Sequence, residues 1–100
     1  MHVSFGSVSA NGDIENAGSG DWAVQKGDAG SFRIAVSVTS GALPVVIATG
    51  SITGDDLAAD NVVTVQVEGP QLFTVASRDV AGWAENQLQD AAFSFVAYWP

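Results

Sequence analysis

Apolar side chains recur at every second position through most of this chain. In Ser31-Phe32-Arg33-Ile34-Ala35-Val36-Ser37-Val38-Thr39 the alternation is strict, with Phe32, Ile34, Val36 and Val38 on one side and Arg33, Ala35, Ser37 and Thr39 on the other. A period of two is that of a strand with one buried face, so this stretch predicts a strand. The C-terminal run Ala91 to Pro100 predicts another. There Phe93, Phe95 and Ala97 share one face, while Ser94, Val96 and Tyr98 share the other, so neither face is fully polar. A strand apolar on both sides wants cover on both. It reads as a central strand whose second face meets a second sheet edge or a second subunit, with Trp99 on neither face clearly because Pro100 ends the strand beside it.

The other segments emerge from the same period and from the residues that break it. Val3 to Val8 alternates and runs into Asn11-Gly12-Asp13, a tight-turn signal because Asn and Gly accept positive φ. Ile14 to Ala17 returns as a short strand until Gly18-Ser19-Gly20 interrupts it. Trp22 to Lys26 is extended and closes on Gly27-Asp28-Ala29-Gly30. After Ser40 to Pro44, the β-branched run Val45 to Thr53 predicts a strand, with Gly50 marking a bulge or bend. Gly54 to Asn61 is an acidic loop too short for a stable helix. Val62 to Glu68 and Leu72 to Arg78 form a hairpin across Gly69-Pro70-Gln71, and Asp79 to Asp90 is a long polar loop carrying Trp83. The expected fold is all-β, an antiparallel sandwich of about six to eight short strands, with residues 1–100 as one domain.

Composition adds a partner. The 100 residues are 47% hydrophobic and only 14% charged, well below the roughly one quarter usual for soluble domains. That apolar excess predicts association. No apolar run approaches the roughly 20 residues that span a bilayer, so membrane insertion is not expected. A formal charge of −8, from three Lys and Arg against eleven Asp and Glu, argues against nucleic acid and anionic membrane as partners. The chain has no cysteine, hence no disulfide framework. Met1-His2-Val3-Ser4-Phe5 has neither the basic start nor the apolar core of a signal peptide.

Catalytic chemistry finds little material. His2 is the sole histidine and stands at a chain start, where order is commonly lost, so no Ser-His-Asp arrangement is expected. Zinc lacks its Cys and His ligands, and Gly18-Ser19-Gly20 leads into a strand pattern rather than a phosphate-binding helix. Paired carboxylates for glycoside hydrolysis would need a deep cleft that a sandwich of this size does not offer. The chain therefore reads as no enzyme, and no cofactor is expected. Asp55, Asp56 and Asp60, with Asn61, are hard oxygen ligands and the candidates for calcium, although their spacing is not that of a 12-residue EF-hand loop. A second acidic group, Asp79, Glu85, Asn86 and Asp90, is a solvated loop on the plainer reading.

Binding has better candidates. Trp83 lies in Gly82-Trp83-Ala84-Glu85-Asn86-Gln87, where no strand pattern demands an indole. Its flat face suits the C–H face of a sugar ring, with the neighbouring amide and carboxylates for hydroxyls. The competing reading folds Trp83 back onto the core or against a subunit. Trp22 is expected inside. Arg33 and Arg78, rare cations here, are expected in surface ion pairs or gripping a polar ligand.

The succession Gly18-Ser19-Gly20-Asp21-Trp22, Gly30-Ser31-Phe32-Arg33-Ile34, Pro44-Val45-Val46, Phe73-Thr74-Val75 and Ala92-Phe93-Ser94-Phe95-Val96-Ala97 resembles the H-type lectin-like domain. It is also similar to the small β-domains at phage and prophage tail-fibre tips. The resemblance covers nearly the whole chain and implies a trimer with sugar sites between protomers. Gly27 and Asp28 match the family's Gly- and Asp-bearing loop, and Trp83 its tryptophan. The family's histidine is replaced by Ala84, and its strand arginine is absent from Val62-Val63-Thr64. The function expected from the resemblance is that of a non-enzymatic, multivalent carbohydrate-binding homotrimer, extracellular or virion-associated, meeting a cell-surface glycan. The expected contacts are Asp28, Arg78, Asp79, Trp83, Glu85 and Asn86. The alternative is a fibre-tip trimerisation module with no sugar site.

Overall fold

The computed structural model describes residues 1–51, 61–79 and 87–100. The described residues are all β, without a helix, and make nine strands: β1 (His2–Val8), β2 (Ile14–Asn16), β3 (Trp22–Lys26), β4 (Ser31–Val36), β5 (Val45–Gly50), β6 (Val62–Gly69), β7 (Leu72–Asp79), β8 (Gln87–Leu88) and β9 (Phe93–Trp99). The count exceeds the expected six to eight by the two-residue β8, too short to show any periodicity. One antiparallel sheet runs β2-β1-β9-β5, hereafter the terminal sheet, because it joins the first and last strands. The second, hairpin sheet, runs β3-β4-β7-β6, with β8 also on β7.

The strict alternation in β4 does what its period dictates. Phe32 and Ile34 are fully buried and Val36 nearly so, while Arg33 and Ala35 are exposed. The strand ends at Val36, earlier than its apolar pattern suggests, because Val36 N donates to Gln71 O and the Gln71 side-chain amide donates to Val38 O. Val38 still packs against the core from outside the strand. The last strand is central in its sheet, with β9 between β1 and β5, but its second face is not covered within the chain: Val96 is 44% exposed. Phe93, Phe95 and Ala97 point inward, and Trp99 joins them, 1% exposed, with its indole N–H donating to Pro70 O at 2.7 Å.

The two sheets meet over a core of Val8, Phe93, Phe95, Ala97 and Trp99 from one side and Trp22, Phe32, Ile34, Val36, Phe73 and Val75 from the other. This is a sandwich core of interdigitating inward residues. Phe95 meets the rings of Trp22 at 4.8 Å and Phe73 at 5.5 Å, and Phe32 meets Phe93 at 5.1 Å, all edge to face. Trp22, inside as expected, lies on Gly6: a β-carbon there would fall 2.1 Å from the indole ring. Its N–H is shared by Phe5 O and Ala17 O at 3.0 and 2.9 Å.

Two carboxylates fasten the sheets together. Asp21, just before β3, accepts from Ser4 Oγ at 2.7 Å and faces His2 Nε2 at 2.6 Å, both on β1. Asp90, before β9, accepts from Gly30 N at 2.6 Å and pairs with Lys26 Nζ at 2.8 Å, both in the β3–β4 hairpin. His2 therefore lies in β1 with side-chain partners, unlike the free end expected at a chain start. It pairs with Trp99 across the β1–β9 ladder and meets its ring at 5.2 Å.

Candidate functional site

Strand register, more than any single motif, builds a concavity on the outer face of the hairpin sheet. Gln25 pairs with Arg33, Arg33 with Thr74, and Thr74 with Gln66, so four polar residues from four strands stand in one row on the outer face of the hairpin sheet. Glu68 bends over this row at the β6 bulge between Val67 and Gly69. It accepts from Arg33 Nη2 at 2.8 Å and from Thr74 Oγ1 at 2.5 Å. These two donors hold its carboxyl below the ordinary carboxylate range. Arg33 thus forms the expected surface ion pair, yet its side chain remains 54% exposed. Part of its donor fork therefore faces solvent. The row floors a groove of about 490 Å3, rimmed by Lys26, Gly27, Asp28 and Ser31.

One step along the same strands the chemistry changes. Ala23 pairs with Ala35 and Ala35 with Leu72, making an apolar row beside the polar one. The rows are two residues apart, about 7 Å. A second hollow of about 210 Å3 bridges them, lined by Ala23, Val24, Gln25, Arg33, Ala35 and Leu72. An amphipathic ring has a partner for each side here: aliphatic carbon under its C–H face, amide, guanidinium and carboxylate groups at its hydroxyls.

The hairpin that carries the rim is fixed tightly. Gly30 has φ of +74°, and a β-carbon there would lie 2.5 Å from Ser77 O, so only glycine fits. Ser77 N donates to Gly30 O at 2.8 Å. Burial opposes the charge on Asp90, but the Gly30 amide and the Lys26 ammonium outweigh it and hold the carboxyl below its usual value. Lys26 Nζ also donates to Gly27 O and Asp28 O, both at 3.0 Å, which sets the rim against the groove.

Of the residues expected to bind, Asp28 lines the groove and is exposed. Arg78 lies on the same strand as Thr74 and pairs with both Val62 and Leu88; Asp79 pairs with Gln87. Both belong to the Gly30 end of the sheet, since Gly30 is bonded to Ser77. Trp83, Glu85 and Asn86 lie outside the described residues, as do Asp55, Asp56 and Asp60. Asn61, grouped with those acids in sequence, donates to Ser77 Oγ at 2.9 Å and reaches Gln89 O at 3.4 Å. Among the described residues no three His, Asp or Glu side chains gather as for a metal. Gln25, Gln66 and Glu68 are invisible as site residues in sequence, because only the pairing of β4 with β7 brings them together.

A second polar cluster contains Ser4, His2 and Asp21. Burial works against ionisation of Asp21, but hydrogen bonds from Ser19, Ser4 and His2 together keep its carboxyl below the usual range. One ring nitrogen, Nε2, faces both Ser4 Oγ at 2.9 Å and Asp21 Oδ2 at 2.6 Å. In a nucleophilic triad the two ring nitrogens serve the serine and the acid separately. Ser4 is also fully buried. The cluster is wired as a fastening.

No protein-family model, curated protein or solved structure matches the chain. The lectin-like resemblance rests on its short runs of sequence alone.

Proposed function

We propose that this chain is a non-enzymatic carbohydrate-binding module that gains strength by homotrimerisation, of the kind carried at phage or prophage fibre tips and meeting cell-surface glycans outside the cell or on a virion. The observation that carries the reading is the pair of adjacent rows on the hairpin sheet, Gln25–Arg33–Thr74–Gln66 beside Ala23–Ala35–Leu72, with Asp28 at the rim. An open, shallow site of this size grips one or two rings loosely, and multivalency then supplies the avidity. The charge of −8 favours neutral over acidic glycans.

The test is a glycan array probed with the wild-type protein and with Arg33→Ala, Gln66→Ala and Trp83→Ala. Binding that falls at least about tenfold in Arg33→Ala, at unchanged melting temperature, supports the groove. Absence of any glycan hit for an assembled wild-type protein favours the second reading, a structural trimerisation module. That reading draws on the apolar outer face of the terminal sheet.

A further inference from the structure

We infer that the outer face of β1, β9 and β5 is the surface through which copies of this chain meet one another. The inference deepens the self-assembly part of the proposed function and is independent of the sugar. Register again lays out the surface in rows. Val3, Tyr98 and Val45 form the first; Phe5, Val96 and Ile47 the second; Ser7, Ser94 and Thr49 the third. Five of the six residues in the first two rows, all but Tyr98, are between 44% and 62% exposed. Six neighbouring apolar side chains on one sheet face form a contiguous patch, which differs from scattered surface hydrophobes.

The occupant is identified by charge and by symmetry. Eleven acids make any copy of this chain repel another, so copies approach only where neither shows a carboxylate. None of the nine outward positions on this face is charged. An anionic membrane would need lysine or arginine here, and a basic partner would need acids. A second copy needs neither. A symmetry axis running parallel to the strands sets each row against itself: apolar on apolar twice, then hydroxyl on hydroxyl, where every group both donates and accepts. The face is three strands wide and three rows long, roughly 14 by 20 Å from strand spacing and rise. That footprint is well below the roughly 800 Å2 per partner of a stable two-body interface. A face of this size makes a weak contact, so assembly is expected to build up with concentration across the micromolar range.

The test uses the full chain and needs no sugar. Light scattering of the wild type across a micromolar series should give three times the chain mass. Ile47→Glu, on the edge strand, and Val96→Glu, on the central one, should each give a monomer with an unchanged β-type circular dichroism spectrum. Because the chain has no cysteine, Val96→Cys and Ala23→Cys report position without burying a charge. Val96→Cys should cross-link with a short bis-maleimide and Ala23→Cys should not. A wild type that is monomeric throughout, assembly that survives both Glu variants, or cross-linking at Ala23 alone overturns the inference. On a multivalent glycan surface, the monomeric variants should lose about 100-fold or more in apparent affinity while single-site binding stays. An assembled wild type that binds no glycan leaves this interface standing and removes only the sugar reading.

Discussion

The two outer faces of the sandwich are made by the same rule and end with opposite chemistry. Both sheets send alternate residues inward to one core, and both send the others out. On β1, β9 and β5 of the terminal sheet the outward residues are Val3, Phe5, Val45, Ile47, Val96 and Tyr98, beside a row of hydroxyls, with no charge among them. On the hairpin sheet they include an Arg33–Glu68 pair, two glutamines and Thr74 beside a narrow aliphatic strip. Inward positions therefore specify the fold and outward positions specify what the fold touches. Five of the exposed large apolar side chains, Val3, Phe5, Val45, Ile47 and Val96, thus share one face.

The largest test removes what the faces share. Phe95→Ala deletes the ring that meets both Trp22 and Phe73. It should cost about 3–5 kcal/mol in urea unfolding, and assembly and glycan binding should fall together with the folded fraction. Loss of one property alone would mean the faces do not depend on a common core. Gly30→Ala puts a β-carbon at positive φ against Ser77 O and should cost about 1–3 kcal/mol. It is expected to damage the groove rim while leaving the assembly face intact, as hydrogen exchange of β1 and β9 amides would report.

Acid should loosen the link between the faces. Asp21 and Asp90 both titrate in the folded chain below the ordinary aspartate value of 3.8. Their stabilisation is present above that value and is lost as pH falls through the lower folded values. Thermal unfolding from about pH 6 down to about pH 2 should show the loss, and Asp21→Asn should flatten part of it. A profile identical to wild type would remove Asp21 from the account. The smallest expected effect on stability is that of Leu72→Asn in the aliphatic strip, about 1 kcal/mol for a half-buried strand position. Glycan binding should nonetheless weaken several-fold on the array.

The strands are legible in sequence wherever one face is buried, because burial imposes the period of two on the residues. Phe32, Ile34 and Val36 announce β4, and the doubly apolar Phe93 to Tyr98 announces a central strand. β8 is not legible, since two residues carry no period. Trp99 is ambiguous beside Pro100 and is resolved by its bond to Pro70. The groove is legible at Gly27 and Asp28, and at Arg33 only as a rare cation whose partner the sequence does not name. Turns fix the register within the β3–β4 and β6–β7 hairpins, but the pairing of β4 with β7 joins two hairpins far apart in sequence. Nothing local encodes that Arg33 will stand beside Thr74 or reach Glu68. The Ser4, His2 and Asp21 fastening escapes sequence reading for the same reason: its members are separated by a turn, a short strand and a second turn.

The pairing of β1 with β9 bears on the order of folding. The β3–β4 and β6–β7 hairpins close over short loops, and each can form as soon as its own residues are available. In the terminal sheet only β1 and β2 have such a shortcut. Between β1 and β5 lies β9, so β1 waits beside its hairpin mate until β9 arrives to fill the gap. Closing that long loop comes late and slowly. During synthesis, Val3 and Phe5 are thus exposed well before the strand that aligns them into rows, so a copy cannot offer its finished apolar face to another until β9 is in place.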